Sequence, residues 1–172
     1  MVSACERARS LAAGDPVAAG LVGYLERHAA EEMHGDEPGA GLAADLIALG
    51  VDESRLRARQ PSPKLAALIG AEFFWIHHLH PVAILGSLEL EAHQANAHQV
   101  ERLIAATGLP RDGFRQLLLH AELDVGHAEE LHGLIDSLPL EPWHEQLIGL
   151  SALQTIALAT EALLDVVHGE AG

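Results

Sequence analysis

One stretch of the chain carries three metal-binding side chains at helical spacing. His120, Asp124 and His127 stand at positions i, i+4 and i+7, so an α-helix would hold them within an arc of about 60°. Leucines on and beside this arc indicate that it faces the protein interior. Because an unpaired carboxylate and two imidazoles are costly to bury, the spacing predicts either an iron, manganese or zinc ion or a buried hydrogen-bond network.

An earlier segment offers a second group of candidate ligands. Glu31 and His34 have the Glu-x-x-His spacing with which helical bundles present a carboxylate and an imidazole to one iron ion. The apolar side of this helix also includes His28 and Glu32, so Glu32 is an alternative to Glu31. Taken alone the motif is weak, and a solvated acidic helix end is the simpler explanation.

A third helix supplies one further carboxylate. Glu91 shares a face with Ile84 and Leu88, whereas Glu89 points nearly the opposite way, so Glu91 is the better candidate and Glu89 the alternative. With the first two groups, this makes three carboxylates and three histidines on three helices. Such a set can hold two iron ions, and reduced iron with open coordination positions can bind dioxygen.

Several other reactive or aromatic residues are not assigned to a site. Of the three histidines between residues 77 and 80, at most one can point inward, toward a pocket shared with Trp75. The aromatic run at residues 73–75 is expected in the core, and Cys5 has no base nearby in sequence. The remaining histidines are expected at the surface or at helix caps: His93, His98, His132, His144 and His168.

Turn and cap signals divide the chain into helices. Asp15-Pro16 and Ser62-Pro63 are helix starts, and Gly108-Leu109-Pro110 is a stop. The predicted helices cover residues 16–34, 42–49, 63–107 with a kink or restart at Pro81, 112–137 and 142–167. No segment alternates with the period of a strand. We therefore expect a single all-α domain over residues 1–172 with six or seven helices, and leave open that residues 1–15 are a loose N-terminal segment.

Composition limits the classes of function and the cellular location. Ten basic and 25 acidic residues give a net charge of −15, which disfavours nucleic acids and anionic membrane surfaces as partners. A single cysteine excludes an intrachain disulfide. Charges within residues 1–14 disfavour a signal peptide, and the uncharged run at residues 146–160 is predicted to be too short and too polar to span a bilayer. We expect a cytoplasmic protein.

These residues resemble a known family. The pattern His120-x-x-x-Asp124-x-x-His127, preceded by an acidic Glu-Glu-x-His segment and by a glutamate on a middle helix, resembles the haem-oxygenase-like di-iron oxidases. The likeness is to the bacterial iron-containing redox enzymes, which are similar to this chain over residues 24–34, 80–86 and 107–110. The resemblance covers roughly residues 20–168, and the His-Asp-His spacing is its most specific part.

The resemblance implies a compact haem-oxygenase-like bundle of about seven helices, two iron ions and dioxygen-dependent oxidation of a small organic substrate. It assigns no catalytic residues beyond the metal ligands. Carried over position by position, one iron would be held by Glu31, His34 and His120, and the other chiefly by Glu91, Asp124 and His127. A homodimer is left open.

Other functions stay open beside the oxidase. One is a metal-free enzyme of the same fold, similar to thiaminases or quinone-cofactor synthases, although Cys5 is poorly placed as a nucleophile. Haem oxygenation with His28 as the axial ligand is disfavoured because the chain offers few basic residues for haem propionates. The last alternative is a non-catalytic metal-binding or structural helical protein, in which the acidic and imidazole side chains would point to solvent.

Overall fold

Nine α-helices and no strand make up the described part of the chain. The computed structural model describes residues 1–33, 41–91 and 96–168, without the side chains of residues 32–33, 91, 123–125 and 166–167. The helices are α1 (Val2–Leu11), α2 (Pro16–Met33), α3 (Gly41–Ala48), α4 (Glu53–Ala58), α5 (Pro63–Phe74), α6 (Ile84–Glu91), α7 (Ala97–Thr107), α8 (Arg115–Ser137) and α9 (Pro142–His168). The all-α prediction is confirmed, with more helices than the six or seven expected.

The first two helices form an antiparallel pair at the centre of the core. Asp15 starts α2 by accepting hydrogen bonds from the Val17 and Ala18 N–H groups, both at 2.9 Å, as an N-cap residue should. Ala4 and Ala8 of α1 are fully buried, and their small side chains allow the two helices to approach closely. Residues 1–15 are therefore not a loose segment, because α1 contributes to the hydrophobic core.

The chain between α5 and α6 changes direction over a π-helical turn and a 3₁₀ turn. The π turn spans Trp75–Leu79 and the 3₁₀ turn spans Pro81–Ala83, so the predicted kink at Pro81 is confirmed. His80 links the two turns: its Nδ1 accepts the Val82 N–H at 3.1 Å and its Nε2 donates to Asp15 at 2.9 Å. These two bonds fix a neutral imidazole in a buried position and join this turn to the start of α2.

The helix expected to continue from Pro81 to Thr107 is divided in two. Asn96 starts α7 by accepting from the Gln99 N–H, while the Gln99 side chain accepts from the Asn96 N–H. This reciprocal capping box begins a separate helix, and the prediction of one continuous helix was wrong. The end of α7 at Gly108, which has a φ of 65°, is where the sequence predicted it.

The long helix α8 is positioned at its start by α3. Asp45 of α3 is almost fully buried; its carboxylate accepts the Gln116 N–H at 2.7 Å and lies 3.3 Å from the Arg115 Nε. A carboxylate at a helix N-terminus satisfies an N–H group that the helix cannot bond internally. This contact fixes where α8, with its candidate metal ligands, enters the fold.

The last helix, α9, buries small polar residues beside Leu147 and exposes several of its other leucines. Ser151 and Thr155 of α9 are buried, and a Cβ added at Gly86 of α6 would lie 2.5 Å from the Ile148 carbonyl oxygen. Leu153 and Leu163 are 67% and 66% exposed. By length and composition the segment 142–165 could cross a membrane: an 18-residue window in it has a mean hydropathy of 1.6, with 17% of that window buried. Helices of soluble proteins meet the same criterion, so the expectation that the uncharged run at residues 146–160 does not span a bilayer stays a prediction.

The aromatic run before the kink is less buried than expected. Phe73 and Phe74 are 53% and 51% exposed, so placing them in the core was wrong. They stack instead on the next turn of their own chain, with ring centroids 4.1 Å apart for Phe73–His77 and 5.3 Å apart for Phe74–His78. Trp75 is partly buried and donates to the Gln154 side chain of α9.

Replacement of Gly86 by alanine should destabilise the fold. The added Cβ would lie 2.5 Å from the Ile148 carbonyl oxygen and 2.7 Å from the Ala152 N, and these backbone atoms can move only if α6 and α9 separate. We expect a loss of about 1–3 kcal/mol in the free energy of unfolding. The matched control is Gly70→Ala in α5, where nothing lies within 4 Å and a gain of roughly 0.5–1 kcal/mol is expected. Equal effects of the two substitutions in urea unfolding would contradict the close approach.

His80 should make stability depend on pH. Burial lowers the pKa of His80 below its ordinary value, with Asp15 partly opposing the shift. The unfolded chain therefore binds more protons as the pH falls below about 6.5, and stability is lost in that window. Although its own partial burial opposes the change, hydrogen bonds from Ala18 and His80 lower the pKa of Asp15, so its contribution is lost only at lower pH.

The test compares urea midpoints of the wild type and His80→Asn between about pH 7.5 and about pH 5. Asparagine keeps a capping oxygen for the Val82 N–H but cannot take up a proton in this range. The midpoint of the wild type should fall more than that of the variant. An equal fall in both proteins would show that His80 does not carry the dependence.

Candidate metal centre

Two imidazoles and a carboxylate converge between α2 and α8. One nitrogen from each of His28 and His127 and one carboxylate oxygen of Glu31 all lie within 4.8 Å of one another. Within this group, His127 Nε2 lies 3.1 Å from Glu31 Oε2. Among the described residues, this is the group whose geometry fits a metal ion.

The α2 side of the centre is built on one helical face. His28 and Glu31 are three residues apart, so the helix presents them side by side. His28 is only 7% exposed and stacks on the buried ring of Tyr24, with centroids 5.6 Å apart. Glu31 lies in the last turn of α2, and its side chain is 50% exposed. The centre thus has a fixed, buried imidazole and a carboxylate that can move.

The α8 side is held in place by the core. Leu131 follows His127 by one helical turn and is almost fully buried in the main hydrophobic cluster, which orients the face that carries His127. The His127 ring lies 4.8 Å from the His28 ring, centroid to centroid, at an interplanar angle of 54°. A second link between the helices, Arg27 to Glu130 at 3.8 Å, is exposed on both sides and adds little stability.

The arrangement fits a metal ion in distance and in chemistry. Nitrogen and oxygen ligands bind such ions at about 2.0–2.2 Å, so two ligands of one ion are at most about 4.4 Å apart. The observed limit of 4.8 Å is close to this value, so a small movement of the side chains would bring all three atoms within binding distance of one ion. Two imidazoles and one carboxylate form the ligand set of non-haem ferrous sites with open positions.

The structure brings together two of the six ligands expected from the sequence. Glu31 and His127 are in contact. His120 is partly buried one helical turn from Gln116, with the two side-chain Nε2 atoms 2.9 Å apart, and is about 10 Å from His127 along the axis of α8. It is not a member of the three-residue group. His34 and the side chains of Glu91 and Asp124 lie outside the described residues.

Glu89, the alternative to Glu91, is engaged elsewhere. Both of its carboxylate oxygens lie 3.1 Å from His132 Nε2 on α8. His132 is exposed, as the sequence indicated. This pair is a separate contact between α6 and α8 at the protein surface.

His28 is the member of the group that the sequence motif did not select. Apolar periodicity placed it on the buried side of α2, but the Glu-x-x-His spacing directed attention to His34. The signal that identifies it is the combination of that buried face with the three-residue spacing to Glu31. Selecting His28 as a ligand also requires the position of α8, and the apolar periodicity of α2 gives no information about where α8 lies.

No protein-family model, curated protein or solved structure matches this chain.

Removal of His127 should weaken metal binding. Losing a direct ligand should lower the affinity for Co²⁺ by more than about 100-fold, because even outer-shell changes at metal sites cost about 10–100-fold. Titration of His127→Ala with Co²⁺, followed by the visible absorption of the bound ion, measures this loss. The matched control is His132→Ala, which removes an exposed histidine from the same helix. Equal affinity of the two variants would argue against the centre.

Proposed function

We propose that this protein is an iron-dependent oxidase that uses dioxygen to oxidise a small organic molecule. The observation that carries the proposal is the convergence of His28, Glu31 and His127 within 4.8 Å between two helices. Iron bound to two imidazoles and one carboxylate keeps open coordination positions and supplies electrons to dioxygen. The resemblance of the His-Asp-His helix to the di-iron oxidases independently suggests the same metal.

The chain's own residues would bind the metal and limit access to it. His28 and His127 would bind as neutral imidazoles, and the Glu31 carboxylate would offset part of the charge of the ion. Burial of His28 beneath Tyr24 keeps water from one side of the centre. The exposed Glu31 side is the side from which a small substrate can enter.

We also propose a second iron ion, whose ligands would include residues of α8. The helix places Asp124 between His120 and His127, four residues after the first and three before the second, so one face carries all three. By the family resemblance, Glu91, Asp124 and His127 would chiefly hold one iron and Glu31, His34 and His120 the other, although Glu31 and His127 lie together in one group with His28. His28 adds a candidate ligand that the resemblance does not include.

Two alternatives are less well supported. A metal-free enzyme with a cysteine nucleophile is disfavoured because Cys5 is buried in the core between α1 and its neighbours. A structural bundle has no need for a half-buried His28–Glu31–His127 group between two helices. A protein that binds the metal without catalysis differs from the oxidase in oxygen consumption alone.

The proposal is tested by anaerobic reconstitution with ferrous iron followed by measurement of dioxygen uptake. We expect about two iron ions per chain, as in other di-iron helical bundles, and uptake of dioxygen on exposure to air. His120→Ala and Asp124→Ala should abolish this uptake while circular dichroism shows an unchanged helical content. His132→Ala is the control and should retain the wild-type rate.

Each result separates the alternatives. Wild-type rates in His120→Ala or Asp124→Ala would contradict the assignment of these residues. Iron binding without oxygen uptake would favour a non-catalytic metal-binding protein. Folded protein that takes up no iron would overturn the proposal.

A further inference from the structure

The outward side of α9 carries a continuous stripe of uncharged residues. Its members recur at spacings of three or four residues, as in helices that pack against another helix. We call this set the outer stripe: Gln146, Gly149, Leu153, Ile156, Thr160 and Leu164. All six are exposed, and no charged residue lies between Gln146 and Thr160.

The described parts of the fold that contact α9 pack on its other sides. The Trp75 indole donates to Gln154, and Lys64 bonds Asp165 at 2.7 Å, which places α5 along one flank. Gly86 of α6 approaches the backbone near Ser151 on another. Nothing lies within 4 Å of a Cβ built at Gly149, so the outer stripe has room for another helix.

The sizes of the side chains in the outer stripe are self-complementary. In an antiparallel pair of α9 helices whose two-fold axis passes between residues 156 and 157, Gly149 faces Leu164 of the other copy and Leu153 faces Thr160. Each large residue then lies opposite a small one, and Ile156 lies near its own copy. In a two-fold interface, if residue i of one copy contacts residue j of the other, then residue j of the first copy contacts residue i of the second. The pairings across the outer stripe meet this requirement.

The exposed apolar surface is sufficient for a small specific dimer. Five large aliphatic side chains on or beside the stripe, Leu150, Leu153, Ile156, Leu163 and Leu164, are 45–67% exposed. At on the order of 100 Å² for a fully exposed aliphatic side chain, with the half-exposed Trp143 added, this is roughly 350 Å². That area matches the apolar share of an interface of about 600 Å² per partner, the small end of specific complexes.

We propose that the outer stripe binds a second copy of this chain as an antiparallel α9–α9 pair. The pairing of large with small side chains across the two-fold axis and the area available favour this occupant, and because the outer stripe itself holds no charged residue, two copies of it meet without like-charge contacts within the stripe. The inference does not depend on the metal centre.

The test measures the mass of the full-length protein by light scattering and sedimentation at high micromolar concentration. The wild type should have twice the 18.3 kDa mass of the chain. Leu153→Glu should be monomeric, with a dimer dissociation constant raised at least about 100-fold, because it would bury two unpaired carboxylates. Gly149→Phe should also dissociate the dimer, because it fills the space needed by Leu164 of the other copy.

Matched controls lie outside the outer stripe. Leu103→Glu on α7 introduces the same charge at a residue that is also exposed, and Gly70→Phe on α5 introduces the same bulk where nothing lies within 4 Å. Both should remain dimeric. Ile156→Cys should form a disulfide-linked dimer on oxidation, whereas Leu103→Cys should not; the native Cys5 is buried.

Three outcomes would overturn the inference. A monomeric wild type at every concentration is one, and dissociation by Leu103→Glu as complete as by Leu153→Glu is another. Recovery of the wild type only with lipid or detergent would assign the outer stripe to a bilayer instead.

Discussion

Two imidazoles and a carboxylate placed between α2 and α8 need partners, and whether they meet depends on contacts that fix each helix elsewhere in the fold. The start of α2 is fixed by Asp15, which also bonds His80. The start of α8 is fixed by the buried Asp45 of α3. Leu131 then holds the His127 face of α8 against the core. Three contacts distant in sequence thus determine whether His28, Glu31 and His127 meet.

Local signals predicted the helices whose ends depend on their own residues. Asp15-Pro16, Ser62-Pro63 and Gly108 act on neighbouring backbone groups, so α2, α5 and the end of α7 lie where the sequence indicated. The division between α6 and α7 also has a local cause, the Asn96–Gln99 capping box, but the apolar pattern across it concealed the break. The burial of α1 and the exposure of Phe73 depend on tertiary packing, which the hydrophobic periodicity of a single segment does not predict. The same holds at the metal centre, where only the position of α8 shows that His28 lies beside His127.

The last helix, α9, shows that apolar composition does not determine which residues are buried. In α9 the inward positions include Ser151 and Thr155, while Leu153 and Leu163 face outward. A core helix, a membrane-spanning helix and a helix that binds another helix can share this composition. The close approach of Gly86 explains the inward small residues, since larger side chains would separate α6 from α9. Composition alone therefore does not decide which of these three kinds of helix α9 is.

The most direct test of the metal centre is the anomalous diffraction of crystals grown anaerobically with ferrous iron, recorded at the iron absorption edge. The account predicts an iron peak between α2 and α8, about 2.0–2.2 Å from His127 Nε2 and from a Glu31 carboxylate oxygen, with His28 as the third ligand. A peak bound elsewhere, or no peak in well-ordered crystals, would contradict it.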